Sequence, residues 1–257
     1  MNINNMTIDE LAIKHNTDKS SLDHQYTKHY QKYFDTYINN PKKILELGIY
    51  TTGPVNLINS GASLRTWTEY FKDTQIIGLD ITDYSNINKT NEYPNINTFA
   101  CNGELRTSED FNLITNPWLK ELYNYPEMIG GKIGMDSVIK KYGDDYDIII
   151  DDGPHTMSSQ QIFLGYMFKY LKSGGLFIVE DLLTGKSDII DRTGQLQYNS
   201  FPKTEKTTLW VFENYIKTGR IESDFMSSNE IEYLNNNIKE LYIEKGKYSE
   251  ICFIVKK

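Results

Sequence analysis

Tyr146-Asp-Ile-Ile-Ile-Asp-Asp-Gly-Pro-His155 decides how this chain is read. Ile148, Ile149 and Ile150 form an unbroken apolar run, as expected of a strand buried on both faces of a parallel sheet. The run ends on two carboxylates, a Gly-Pro turn and a histidine. In open α/β sheets, ligands bind beyond the carboxyl ends of the strands, so Asp151, Asp152 and His155 stand where chemistry is kept. Gly175-Leu-Phe-Ile-Val179 repeats the design and runs into Glu180-Asp181.

Working outward, Lys43-Ile-Leu-Glu-Leu-Gly48 reads as the first buried strand, followed by a turn at Tyr50-Thr-Thr-Gly-Pro54. Gln75-Ile-Ile-Gly-Leu-Asp80 reads as the second, and Ile96–Ala100, ending at Asn102, as the third. Strand four is Tyr146–Ile150 and strand five Leu176–Val179, with Gly174-Gly175 closing the helix between them. Ser63 is the expected N-cap of a helix bearing Leu64, Trp67, Tyr70 and Phe71. Asn112 to Gly143, rich in Pro and Gly, reads as an irregular insertion over the site. Asp181 to Thr207 reads as a polar loop, and Leu209 to Ile216 as a helix. Trp118, Tyr123, Tyr125, Tyr198 and Phe201 in these loops are expected to choose the ligand. Ile238–Ile243 and Ile251–Val255 form an antiparallel hairpin around Gly246. At the start, Thr7-Ile-Asp-Glu10 is a capping box, and Tyr26 to Ile38 has helical spacing. The expectation is a small helical N-terminal lid over 1–40. A doubly wound α/β domain over 41–257, mostly parallel with a C-terminal antiparallel hairpin, follows it.

With 257 residues, 39% hydrophobic and 24% charged, the composition is that of an ordinary globular chain. A net charge of −8 disfavours nucleic acid and anionic membranes as partners. No apolar run reaches the roughly 18 residues that span a bilayer, and no signal-peptide pattern opens the chain. Cys101 and Cys252 stand apart in no metal-type spacing, which suits a reducing cytoplasm.

Gly48 at the first strand's end would let a ligand approach the backbone, and Asp80 would accept hydrogen bonds from ribose hydroxyls. The GxGxxG spacing of dinucleotide enzymes is missing, which disfavours hydride transfer. Asp152, Glu180 and Asp181 are hard oxygen ligands suited to Mg²⁺ or Mn²⁺. Acids on neighbouring strand ends, about 4.8 Å apart, can share one ion. His155 fits either a general base or a metal ligand.

Leu45-Glu-Leu-Gly48, Gly61-Ala-Ser-Leu-Arg-Thr-Trp67, Ile77-Gly-Leu-Asp-Ile81, Asp151-Asp-Gly-Pro-His155 and Gly174–Leu182 together resemble class I S-adenosylmethionine-dependent methyltransferases. More narrowly, they resemble the metal-dependent sugar O-methyltransferases of macrolide biosynthesis, the mycinamicin and demethylmacrocin group. The similarity runs from about Asn16 to Leu182, with a fainter match in the final hairpin. His15–Lys19 and His29-Tyr30 are similar to that group's N-terminal lid. The resemblance implies a Rossmann-like methyltransferase sheet that binds S-adenosylmethionine through Glu46, Gly48, Ser63, Asp80 and Asn102. It places Mg²⁺ (or Mn²⁺) on Asp152, Glu180 and Asp181, and makes His155 the base for a small-molecule or saccharide acceptor. The sequence departs from the group at Tyr50–Pro54, at Cys101-Asn-Gly103, and in lacking a large N-terminal domain; a homo-oligomer stays open. Two rivals remain, a methyltransferase for another vicinal diol such as a catechol and a non-catalytic nucleotide-binding protein.

Overall fold

The computed structural model describes residues 6–38, 40–49, 60–88, 92–182 and 206–257. The turn at Tyr50–Pro54, together with Tyr198 and Phe201, lies outside the described residues. Seven strands form one sheet: β1 Lys43–Leu47, β2 Gln75–Asp80, β3 Ile96–Ala100, β4 Tyr146–Asp151, β5 Leu171–Val179, β6 Ile238–Lys245 and β7 Glu250–Lys256. Their order is β3-β2-β1-β4-β5-β7-β6. The first five run parallel, with Leu45 opposite both Ile77 and Ile149. Then β7 enters antiparallel between β5 and β6, and Ile178 faces Phe253. Strand order reverses between β1 and β4, and that switch point opens a crevice at their carboxyl ends.

The two-residue period of a strand divides the core into two layers. Ile44, Ile76, Ile148, Ile150, Leu176, Ile178 and Phe253 face one layer. Helices α1 Ile8–His15, α2 Thr27–Tyr37 and α3 Ala62–Tyr70 cover it through Ile8, Tyr30, Phe34, Leu64 and Trp67. Leu45, Leu47, Ile77, Ile149, Phe177 and Val179 face the other. There the short α4 (Pro117–Leu122) precedes α5 Met135–Tyr142, α6 Met157–Met167, α7 Thr208–Thr218 and α8 Ser228–Asn237. The N-terminal helices expected to act as a lid therefore lie against the sheet, with Tyr30, Tyr33 and Phe34 buried. The Thr7 capping box opens α1 as the sequence suggests.

Three local expectations are corrected, and one helix was not expected at all. Gly61, at φ +71°, caps α3, and Ser63 lies inside the helix, because the chain enters left-handed where a side-chain cap was expected. Gly174-Gly175 does not close a helix: α6 ends at Met167, and both glycines lie within β5. Gly174 has φ +76°, and the β4–β5 register shifts between Tyr146 and Ile148, so these glycines serve a strand irregularity. The carbonyls past α6 are taken instead by the Lys256 ammonium, which bonds Phe168, Lys169 and Leu171 at 3.3, 2.9 and 2.5 Å. The stretch 112–143 is not irregular throughout. Its α5 buries Met135 and Val138 and belongs to the crossover that a parallel β3-to-β4 connection requires. Finally, α8 went unanticipated because only Leu234 of its polar sequence is buried.

No helix among the described residues is long and apolar enough to cross a membrane. Gly48, at φ +98°, is where the turns after β1 and β4 touch; a Cβ there would lie 1.9 Å from the Asp152 carbonyl oxygen. Protein backbone thus occupies the side of this glycine on which a side chain would stand. Gly48→Ala is expected to cost about 2–4 kcal/mol from strain and overlap together. Urea unfolding checks this, and an undiminished midpoint would mean that the two turns do not meet.

Candidate active site

Strand parity carries the acids to one layer. Glu46, Asp152 and Glu180 continue the alternation of Ile44, of Ile148 and Ile150, and of Leu176 and Ile178, so they emerge toward α1–α3. Asp151 has the opposite parity and turns away, its Oδ1 accepting from Gly153 N at 3.3 Å. Burial pushes its pKa up to about 7.

Into the acids comes a cation from the N-terminal loop. Lys19 is 1% exposed, and its Nζ donates to Asp152 and, at 2.9 Å, to Glu180, with Glu46 at 3.9 Å. The loop is built to deliver it. Asn16 ends α1 at φ 59°, and the Lys19 carbonyl accepts from Tyr26 N and Thr27 N at 3.0 and 3.1 Å. The Asp9 carboxylate braces the curl through Ser21 N and Thr27 Oγ1. The same loop brings Tyr26, whose hydroxyl donates to Asp181 at 2.9 Å, and His24, whose Nδ1 lies 3.3 Å from that carboxylate. Tyr30, on α2, donates to Glu180.

Asp152, His155 and Asp181 form the more open side of the cluster, with donor atoms all within 4.8 Å of one another. His155 Nε2 lies 3.8 Å from Asp152 and 3.7 Å from Asp181. His155 and Asp181 have φ of 56° and 53°, a left-handed conformation in which strain is typically kept for function. Of the acids expected to act together, the geometry joins Asp152 and Asp181 with His155 and sets Glu180 behind them, against Lys19 and Tyr30.

The electrostatics follow from burial without enough counter-charge. Burial raises Glu180 well above the ordinary glutamate value, and Asp152 repels it further. Burial pulls Lys19 down, but Asp152 and Glu180 outweigh it and hold the ammonium well above its usual range. Asp181 is the exception: burial pushes it up, but the His24 hydrogen bond and the His155 charge hold it at about 2. Glu46 is fully buried, accepts from the Trp67 indole at 2.6 Å, and is raised to about 7 by burial despite Lys19.

The remaining candidates spread along the strand ends. Asp80 accepts from Ile49 N at 3.1 Å and Thr82 N at 3.0 Å, which fixes its carboxylate beside the β1 turn. Ser63 hydrogen-bonds Glu46 from α3. Asn102 is buried past β3; its amide donates to the Gly131 carbonyl and its oxygen accepts from Glu104 N. Lys19, His24, Tyr26 and Tyr30 are the residues that sequence reasoning missed. The signals were that 15–20 formed a polar stretch without periodicity and that His15–Lys19 and His29-Tyr30 carried a resemblance with no role attached to Lys19 or Tyr30. A cavity of about 990 Å³ beside Lys14, Glu69, Tyr93 and Asn95 lies at the other end of the strands, where β3 begins and α3 ends.

No family model matches the chain. Over 177 residues it is 28% identical to mycinamicin VI 2''-O-methyltransferase of Micromonospora griseorubida, covering 69% of this chain and 36% of that one. Demethylmacrocin O-methyltransferase of Streptomyces fradiae matches at 28% over 180 residues, with 69% and 36% covered. Among solved structures, the MycE methyltransferase of mycinamycin biosynthesis, in complex with Mg, SAH and mycinamycin VI, superposes with a TM-score of 0.65. Identity there is 23%, over 98% of this chain and 54% of that one. The chain thus spans about a third of the length of the curated relatives it matches. It is similar to macrolide sugar O-methyltransferases and has the Rossmann-like methyltransferase fold.

The Glu46 environment generates a pH prediction. Its folded pKa of about 7 exceeds the ordinary 4.5, so the folded chain binds more protons than the unfolded one between those values. Stability therefore falls as pH rises through that window, by up to about 3 kcal/mol. Glu46→Gln, which keeps an acceptor for Trp67, is expected to remove the Glu46 share of that slope and leave the share of Asp151, which burial also raises to about 7. Urea unfolding at pH 5 and pH 8 in chelator tests it; coincident pH dependences in parent and variant would refute the assignment.

Proposed function

We propose that this chain is an S-adenosylmethionine- and Mg²⁺-dependent O-methyltransferase acting on a saccharide hydroxyl. One observation carries the reading: donors from Asp152, His155 and Asp181 converge within 4.8 Å past β4 and β5, beside Gly48 and within the crevice of the switch point. The named activities of the relatives support the sugar acceptor, and the Mg and SAH of the MycE complex support the cofactors.

The residues present fit both groups. Hard oxygen donors from different strand ends suit Mg²⁺ or Mn²⁺, and an ammonium already rests between Asp152 and Glu180. Asp152, Glu180 and Asp181 would hold the ion. Glu46, Gly48, Ser63, Asp80 and Asn102 would hold S-adenosylmethionine. Bound there, the ion supplies Lewis acidity that acidifies an acceptor hydroxyl, and the sulfonium supplies the methyl group. His155 takes the hydroxyl proton at Nε2 and, with the strand ends, aligns acceptor and donor. A second role for His155 has an observation of its own: Nε2 is within 3.8 Å of both aspartates, which also suits a ligand. Trp118 and Tyr125, exposed on the α4 segment, would meet the acceptor. Cys101 and Cys252 are free and buried, in keeping with a cytoplasmic location.

Thermal-shift titration with S-adenosylhomocysteine, with and without Mg²⁺, tests the reading, with NAD as control. Stabilisation by the first and not by NAD is expected; indifference to both would refute the reading. Chelation is expected to stop methyl transfer, and Mg²⁺ or Mn²⁺ to restore it. His155→Ala is expected to lose about 10²–10⁴-fold in rate with unchanged S-adenosylhomocysteine affinity. Calorimetry with Mg²⁺ then separates the two roles: unchanged ion affinity marks the base, weakened affinity the ligand. A parental rate would exclude both.

A further inference from the structure

We propose that Lys19 is the resident cation of the acid cluster, whose ammonium holds Asp152 and Glu180 together and weakens divalent-ion binding there, so that the ion enters by taking Asp152 from it. The inference rests on the function proposed above and gives a role to the last residue of the His15–Lys19 stretch, to which the sequence assigned none.

An ammonium has three donors and no acceptor. Here one goes to Asp152 and one to Glu180, and the third side faces Glu46 at 3.9 Å. Three carboxylates crowded at the ends of β1, β4 and β5 need a positive charge, and Lys19, buried at 1% exposure, supplies it from within the chain. A divalent ion seated on the same oxygens meets that charge at close range in a poorly screened setting, where repulsion between cations is strong. The two partners of Lys19 differ in a way that orders the exchange. Glu180 is buried and also accepts from Tyr30, whereas the Asp152 side chain is 20% exposed and adjoins His155 and Asp181. An incoming ion therefore reaches Asp152 first and Glu180 after it. The backbone of Lys19 is held where it is, its carbonyl accepting from Tyr26 N and Thr27 N. Its role is that of a positioning residue.

The test compares the parent with Lys19→Met and Lys19→Gln, using MgCl₂ as the probe in calorimetry and thermal melts at pH 8. Without metal, both variants are expected to melt lower than the parent. With Mg²⁺ they are expected to bind the ion at least tenfold more tightly and to show a larger Mg²⁺-induced rise in Tm. A lysine with only a structural role would lower Tm and leave Mg²⁺ affinity unchanged, so unchanged or weaker affinity in a folded variant overturns the proposal. If neither variant folds even at saturating Mg²⁺, the ion cannot take the place of the ammonium, and the proposal also fails. A parent that responds to neither Mg²⁺ nor S-adenosylhomocysteine refutes the function instead. A parent that binds both, with variants that bind Mg²⁺ no better, refutes the role of Lys19 alone.

Discussion

The contact on which the rest of the structure depends is the buried ion cluster of Lys19 with Glu46, Asp152 and Glu180. Charges taken out of water carry a penalty of several kcal/mol each, and their mutual attraction offsets it only when further hydrogen bonds complete the set. Trp67 donates to Glu46 and Tyr30 to Glu180. Removing Lys19 would leave the acids without their counter-charge. The cluster therefore ties three strand ends to a loop 133 residues from Asp152 and 161 from Glu180. On this side of the sheet α1 and α2 form a wall, with Ile8, Tyr30, Tyr33 and Phe34 buried.

That wall is held from the other side by the C-terminal hairpin. Tyr33 stacks on Phe253 with ring centroids 4.2 Å apart, and its hydroxyl donates to Glu244. At the hairpin tip, Gly246 packs so closely on Tyr26 and the His24 carbonyl that a Cβ would overlap both, while Lys247 N donates to that carbonyl at 2.8 Å. Since His24 and Tyr26 in turn fix Asp181, one continuous set of contacts runs from the last two strands to the open side of the site.

The opposite layer supports the site by a separate route. Gln160 of α6 donates to the Glu180 carbonyl at 2.8 Å, which steadies the strand end behind the left-handed Asp181. Thr156, the N-cap of α6 and the residue after His155, donates to Glu104 at 3.3 Å, and Glu104 accepts from Tyr123 as well. The segment between β3 and α5 is thereby linked to the His155 turn. Movement of that segment on meeting an acceptor would be felt at the histidine, through hydrogen bonds rather than through the apolar core.

By itself the sequence determined the five parallel strands, the closing hairpin and the acids at the strand ends. Each rests on a local pattern: Ile148–Ile150 and Leu176–Val179 are apolar runs of strand length, and the residue that ends such a run lies at the carboxyl end of the sheet. Parity along each strand then sends Glu46, Asp152 and Glu180 to one layer, and adjacency in the sheet brings them together. Where the pattern was weak, the reading failed. The spacing of Met135 and Val138 in α5 was hidden among glycines, α8 buries little, and the start of α3 was set by a left-handed Gly61 rather than by Ser63. Only the tertiary structure decided that His155 stands with Asp152 and Asp181 while Glu180 stands with Lys19. A lysine in an aperiodic polar loop carries no sign of burial; it becomes the partner of acids far along the chain because packing of α1 and α2 on the sheet leaves it no water.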